Sequence, residues 1–525
     1  MPTNDYLRVA SKPRTALANV IISASLMILF TAVSLSQTSV QLQSGTPGTQ
    51  QTGHHNVSGS ALSGGPSGVG TTAPHASAQL DVASTSRGLL PPRMTRAQMA
   101  AIGSPAAGLE VYLNNSSLNQ HAFYDGARWL GLPSFFNVKI YGALADDATD
   151  SLSAIQGAVD AAEAAGGGLV YIPRGIYRVS GTIVNDTKGV IVAGDGPEAT
   201  IIRTTSATAN VFSLGNPASP YTPGGGVRDL SITSSVSRTS GYAVKVDGCE
   251  QGVLSNLRIA TTGGGGLQFA PSNNSAAWFV HDISIYTTGA FRAISVEGGN
   301  DRYFSNLWLY GDLTTGSVGI YISKSGADFF RDIEVLRYEV GVWLDPPAGN
   351  TVNWLTFDNV LVDNSKQYGW FFYGSGSIYG ISLVNCWSGS TATSLTSGHG
   401  FIIVNGNGIV LTGTRSINNG GDGLQIGTAV SNLEVNGGLF TGNSLASSGS
   451  FNGIAVWANN TGGLRFRGLR SGQAAGRGNT QGYGIYISGG CDNFIVSETD
   501  TRTNVGGGIA NLSGTGPTRI VANNL

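Results

Sequence analysis

From about Val227 onward the chain repeats one short pattern of apolar and polar positions. It reads VRDLSI, LSNLRI, VHDISI, FSNLWL, FRDIEV and TFDNVLV. The copies recur roughly every 24 to 28 residues, a period that marks a stack of repeating coils. Asp229, Asn256, Asp282, Asn306, Asp332 and Asn359 then share one column. Asn and Asp side chains favour turns and bond local backbone, so this column is a structural ladder and not a set of catalysts. A second pattern follows each first one: GYAVKV, GLQF, RAISV, VGIYI, VGVWL, YGWFF, HGFII, DGLQI, NGIAV, YGIYI and GGIAN. Alternation with period two marks strands with one face inward and one outward. The expected architecture is all-β: a single-stranded parallel β-helix over residues 134–525.

Ahead of the repeats, Leu152, Ile155, Val159 and Ala162 recur at helical spacing. Thr149, Asp150 or Ser151 can cap the start of this helix, and Gly166 to Gly168 end it. "LVYIP" and "IYRVSGTI" follow as strands. The stretch from "VKIYGALADDATD" to "IYRVSGTI" resembles the N-terminal entry of the pectate-lyase superfamily. That resemblance implies a right-handed coil with the helix capping one end. The family's usual Gly-Asp-Gly opening is replaced by Ala145, Asp146 and Asp147. Asp146, Asp147 and Asp150 are read as turn and cap residues.

The remaining domains are legible from composition. Arg8, Lys12 and Arg14 precede an apolar run, and Ser34 and Ser36 sit where a signal peptidase reads, so residues 1–36 are expected to be a signal peptide or anchor. Residues 37–75 form a Gly/Ser/Thr-rich linker. Residues 76–133 contain Leu80-Asp81-Val82, Pro91-Pro92-Arg93-Met94 and Tyr124-Asp125-Gly126…Trp129. They resemble a short module of phage tail fibres and bacterial surface proteins, which implies attachment and display. Localisation is expected to be secreted or at the cell surface, with a virion tail as a further setting. Membrane contact is expected only if the N-terminal segment stays uncleaved.

Composition narrows the partners. Gly makes up 77 of 525 residues and charged residues only 11%. The formal net charge of −2 comes without a basic block, which argues against nucleic acid. Cys249, Cys386 and Cys491 are too few for a disulfide framework and are read as small buried residues. Neither a metal set nor a cofactor is expected.

The candidate chemistry lies on the second column and in the loops before it. In "GIYIS" Ile320 and Ile322 point in, so Tyr321 points out. Trp343 and Phe371 follow in the same register, an exposed aromatic stripe suited to stacking on sugars or to a subunit interface. The preceding loops bring Tyr286, Tyr310, Asp312, Arg337, Tyr338, Glu339, Asp363 and Asn364 to comparable positions. Paired carboxylates suit glycoside hydrolysis. A base such as Arg337 or a Tyr, with charge stabilisation, suits elimination. The candidate catalytic residues are Asp312, Arg337, Glu339 and Asp363; the candidate substrate-binding residues are Tyr310, Tyr321, Trp343 and Phe371.

Gly398-His399-Gly400 resembles a catalytic signature of polygalacturonases. The upstream Asp set and downstream Arg-x-Lys of that family have no match here. His399 also aligns with Asp422, Asn452, Tyr483 and Gly507, each before a Gly that opens a strand. It is read as a turn residue whose replacement by Ala leaves stability unchanged.

Resemblance to tailspike depolymerases and pectate-lyase-like enzymes implies a polysaccharide-binding, polysaccharide-degrading homotrimer, by lyase or hydrolase chemistry. The alternative is a non-catalytic adhesin or fibre with a rigid β-helix stalk.

Overall fold

The computed structural model describes residues 63–525, apart from 116–117, 132–134, 188, 219–221, 272–274, 392–397, 475 and 477. The expected signal or anchor at 1–36 and most of the linker lie outside the described residues. Two compact units fall within 1–132 and 133–525.

The first unit is small. Arg93–Met94 pairs in parallel with Glu110–Asn115, which continues antiparallel to Leu118–Tyr124 and Trp129–Gly131. The helix Arg96–Ala100 begins in a capping box between Thr95 and Gln98. Met99, Val111, Leu113 and Ala122 form the core, with Met94, Ile102 and Trp129 against it. Asp125 accepts the N–H groups of Ala127 and Arg128 and so closes the Tyr124–Trp129 turn.

The second unit is a parallel β-helix of about 14 turns. Its strands form one 35-stranded sheet whose pairings are all parallel. The first column reads Gly226–Ser234, Val253–Thr261, Phe279–Thr287, Tyr303–Tyr310, Phe329–Leu336 and Thr356–Asp363. Each of these strands turns a corner at its Asp or Asn, where φ lies between 50° and 58°. A left-handed backbone disfavours most L-residues but is tolerated by Asn and Asp. The ladder also bonds between coils: Asn256 donates to Asp229, Asn306 to Asp282 and Asn359 to Asp332.

Inside, large apolar side chains stack on their copies in the next coil. Phe304, Phe330 and Phe357 lie nearly parallel, with centroids 4.6 and 4.8 Å apart. Fully burying each ring stabilises the fold by roughly 1.5–3 kcal/mol. One buried ion pair interrupts this core: Arg302 and Asp328 are both inaccessible, 2.7 Å apart, with Ser325 and the Gly298 carbonyl taking the remaining donors. The three cysteines are buried.

The helix Leu152–Ala164 buries Ile155, Ala158, Val159 and Ala162 in the same core, with Leu152 against it. Ser151 occupies its N-cap but makes no side-chain cap bond. Asp150 accepts the Leu152 N–H instead. Asp146 accepts the N–H groups of Ala148 and Thr149, which hold its carboxyl down at about 2. Asp147 pairs with Arg178 and Arg203. Among the described residues no helix is long and apolar enough to cross a membrane.

Candidate functional site: the outward face of the second column

The second column comprises Tyr242–Val246, Gly265–Phe269, Arg292–Val296, Val318–Ile322, Val340–Leu344 and Tyr368–Phe372, followed by the start of His399–Thr412. Lys245, Gln268, Ser295, Tyr321, Trp343, Phe371 and Ile402 are aligned in successive coils. The residues on either side of Tyr321, Ile320 and Ile322, are in the main core. Tyr321 belongs to a separate cluster with Val318 and Val340, against which Trp343, Tyr368 and Phe371 pack. The row therefore faces outward.

It is not, however, a freely exposed stripe. Tyr321 is only 8% accessible, because the Arg292 guanidinium lies 3.3 Å over its ring and Trp343 meets it edge-on at 5.6 Å. The expectation of bare rings fails at this position, since polar side chains of the neighbouring coils fold over the ring. Trp343 and Phe371 are half-buried.

Period two continues one residue beyond each strand and brings out a second, polar row. Asp247, Glu297, Ser323, Asp345 and Tyr373 occupy equivalent positions, each donating its N–H to the preceding coil. Tyr321 donates to Asp345 at 3.0 Å. Glu297 accepts from Ser295 at 2.7 Å, from Gln268 at 3.2 Å and from Arg292 at 3.3 Å. Lys245 pairs with Asp247 at 2.7 Å. Burial raises the Tyr321 hydroxyl above its ordinary value, opposed by Arg292 and reinforced by Asp345. Tyr321 thus holds its proton and acts as a donor, not as a base. Strands stack about 4.8 Å apart, so Glu297 and Asp345, two coils from each other, stand roughly 10 Å apart at the backbone.

The loop candidates flank the other end of the same strands, and each has a local partner. Asp312 accepts from the N–H groups of Gly289 and Thr314 at 3.0 Å. Burial pushes its carboxyl up, but these bonds outweigh it and the net shift is downward. Glu339 accepts the Gly316 N–H at 2.6 Å. Asp363 accepts from Asn364 through both oxygens, and burial raises its carboxyl despite those bonds. Arg337 lies over the Tyr310 ring at 5.7 Å. Tyr286 and Tyr310 are in register, with Leu336 and Asp363 in the next two coils. Tyr338 is not part of this surface: it is fully buried, its hydroxyl 3.0 Å from Thr287.

His399 lies at the edge of the face, in register with Tyr368. Its Nδ1 accepts the Asp422 N–H at 3.0 Å. In the same way Asp422 accepts the Asn452 N–H and Asn452 accepts the Tyr483 N–H. His399 is one rung of a side-chain-to-backbone ladder along the column. Burial lowers the imidazole to about 4 and raises the Asp422 carboxyl to about 6. Removing a buried acceptor costs stability, so a loss is expected for His399→Ala in place of the nearly unchanged stability read from the sequence.

A groove of about 460 Å³ runs elsewhere, along the Asp/Asn ladder, lined by Asp282, Asn306, Asp332, Asn359, Trp308 and Glu334. Its ladder carboxylates Asp282 and Asp332 accept amides from Asn306 and Asn359 of the next coil. Among the described residues no set of His, Cys, Asp and Glu side chains comes together that could hold a metal ion.

Comparison with known proteins agrees with this architecture. Residues 68–145 match a family described as a phage tail like trimerisation region, and residues 135–389 match one described as rhamnogalacturonase A/epimerase, pectate lyase-like. Mannuronan C5-epimerase AlgE1 of Azotobacter vinelandii is 41% identical over 133 residues, which cover 23% of this chain and 9% of that relative. Rhamnogalacturonase A of Aspergillus niger is 26% identical over 294 residues, 49% of this chain and 60% of that enzyme. The chain thus spans less than two thirds of either relative. The solved tailspike protein 3 of bacteriophage CBA120 shares the fold, with a TM-score of 0.51 and 18% identity over 82% of this chain and 68% of that one. The chain thus carries a parallel β-helix whose residues 135–389 are similar to a pectate-lyase-like family, with a stretch, residues 68–145, similar to a phage tail like trimerisation region.

Proposed function

We propose that the protein is a polysaccharide-active β-helix protein that holds a long glycan across the outward face of the second column. The observation that carries this reading is the pair of adjacent rows on that face. One is aromatic (Tyr321, Trp343, Phe371) and the other carries Glu297 and Asp345, with Arg292 and the Tyr321 hydroxyl between them. The half-buried Trp343 and Phe371 rings supply stacking area for sugar, and the carboxylates supply acid and base. Supporting this, the chain is similar to a mannuronan epimerase and to a rhamnogalacturonase.

Glycoside hydrolysis uses a pair of carboxyl groups flanking the scissile bond, and Glu297 and Asp345 are the pair on this face. A second reading keeps the loop set Asp312, Arg337, Glu339 and Asp363 as catalysts. Its support is Asp363, whose carboxyl is raised, as a general acid requires. In the first reading these loop acids fix the turns that border the second-column face. We place the protein outside the cell or on a virion tail, as a homotrimer; the trimerisation-region match supports this.

The test is a panel of capsular, plant and uronate-rich polysaccharides incubated with the full chain. New reducing ends mark hydrolysis, and ultraviolet-absorbing unsaturated ends mark elimination. Altered sugar configuration at constant chain length marks epimerisation, and retention without any change marks an adhesin. Glu297→Gln or Asp345→Asn abolishing the change, with Asp312→Asn and Asp363→Asn spared, selects the first site. The reverse selects the second. A protein that retains none of the polymers contradicts the proposal.

A further inference from the structure

A second outward aromatic row lies on the first column, where no site has been assigned. Phe279, Tyr303 and Phe329 occupy the same register in three successive coils. They are 55%, 46% and 41% exposed, and in the next coil Trp354 is 61% exposed. Their rings are stacked on one another: Phe279 and Tyr303 at 5.5 Å and 11°, Tyr303 and Phe329 at 5.1 Å and 3°. Three half-exposed rings in a row are an apolar patch of the kind that marks a contact surface.

The stacking decides what kind of contact. Sugars bind aromatic side chains face-on. Here both faces of the central Tyr303 are occupied by its neighbours, so that ring offers only its edge. Edges in a rigid row offer apolar area to another protein surface and little to a pyranose ring. The rim is polar: Arg331 lies within reach of Asp332 and Asp358, and His281 bonds Asp282. An apolar centre with an Arg-containing rim is the anatomy of a protein interface.

We propose that this row is the face through which the β-helices of three copies of the chain meet. The inference rests on the trimer reading above. A chain whose N-terminal region trimerises holds three β-helices at high effective concentration, so a modest patch suffices to dock them. In a three-fold ring the contacts are heterologous, so a row meets its own copies where it lies along the axis, and the parallel rings present a flat, repeated edge for that purpose. The second-column face then remains free for glycan.

The experiment uses the full chain. Tyr303→Cys is oxidised and run without reductant; the native cysteines are buried, so they give a low background. Alongside it, Phe279→Ser/Phe329→Ser is examined by sedimentation and thermal unfolding. The expected results are covalently linked chains for Tyr303→Cys, and for the double variant a trimer whose β-helix unfolds at lower temperature while glycan retention is unchanged. A wild-type trimer in which Tyr303→Cys gives no links and the double variant melts as wild type overturns the inference while leaving the trimer standing. Lost glycan retention in the double variant, without links, overturns it in favour of a sugar site. A monomeric wild type overturns both the inference and the trimer reading beneath it.

Discussion

The two outward aromatic rows are built by the same device and differ in how their rings pack. Both come from one position repeated coil after coil, so that register alone aligns the rings. On the first column Phe279, Tyr303 and Phe329 lie parallel and cover one another's faces. On the second, Tyr321 and Trp343 meet edge-on at 89° and Trp343 and Phe371 at 34°, with Arg292, Glu297 and Asp345 beside them. A parallel β-helix fixes where side chains emerge. The two rows differ in what meets the rings: neighbouring ring faces on the first column, Arg292 and an Asp345 carboxylate on the second.

That contrast breaks most sharply at the carboxylates. Glu297→Gln or Asp345→Asn is expected to lower polysaccharide turnover at least about 100-fold, the lower range for losing a general acid or base, with polymer still bound. Phe279→Ser is expected to leave turnover unchanged. Initial rates and affinity electrophoresis on the same polymer check both. A first-column variant that slows turnover as much would erase the distinction.

Trp343→Ala should weaken glycan binding by about 1–3 kcal/mol without altering sedimentation. If it dissociates the oligomer instead, the second-column row is the subunit interface.

The edge of the second-column face also carries a stability prediction. His399→Ala leaves the Asp422 N–H without its acceptor and should cost about 1–3 kcal/mol, read by chemical denaturation, with turnover retained. A pH series sharpens this. The lowered His399 contributes stability that is present above its ordinary 6.5 and lost as pH falls through about 4. The raised Asp422 contributes stability that is present below its ordinary 3.8 and lost as pH rises through about 6. The two slopes oppose each other across one window. His399→Asn removes the first, so its melting temperature should fall relative to wild type as pH rises from about 4 to about 6. Parallel profiles would contradict the buried pair. The smallest effect is expected at the ladder, where Asn306→Ala should cost roughly 1–2 kcal/mol for placing Ala in a left-handed backbone.

Much of this was legible in the sequence, for a physical reason. A parallel coil gives no freedom of register, so the period that aligned Tyr321, Trp343 and Phe371 in the sequence also pairs them in space. The Asp/Asn corners were equally visible, since few other residues accept that backbone. The chemistry was less so. Glu297 and Asp345 stand one alternation past the end of their strands, in "ISVE" and "VWLD", where the strand pattern stops but the outward direction continues. Extending period two by a single step would have found them. The aromatic row on the first column, three residues before Asp282, Asn306 and Asp332, was hidden by attention to the ladder itself. The burial of Tyr338 and the covering of Tyr321 depend on contacts between coils that no linear pattern reports.

The central claim is that glycan lies on the second column and protein on the first. Binding of one retained polysaccharide by Trp343→Ala and by Tyr303→Ala, measured side by side by calorimetry on full-length protein, tests it most directly. The account predicts weakened binding for Trp343→Ala and wild-type affinity for Tyr303→Ala. Weakened binding for Tyr303→Ala with Trp343→Ala unaffected would contradict it.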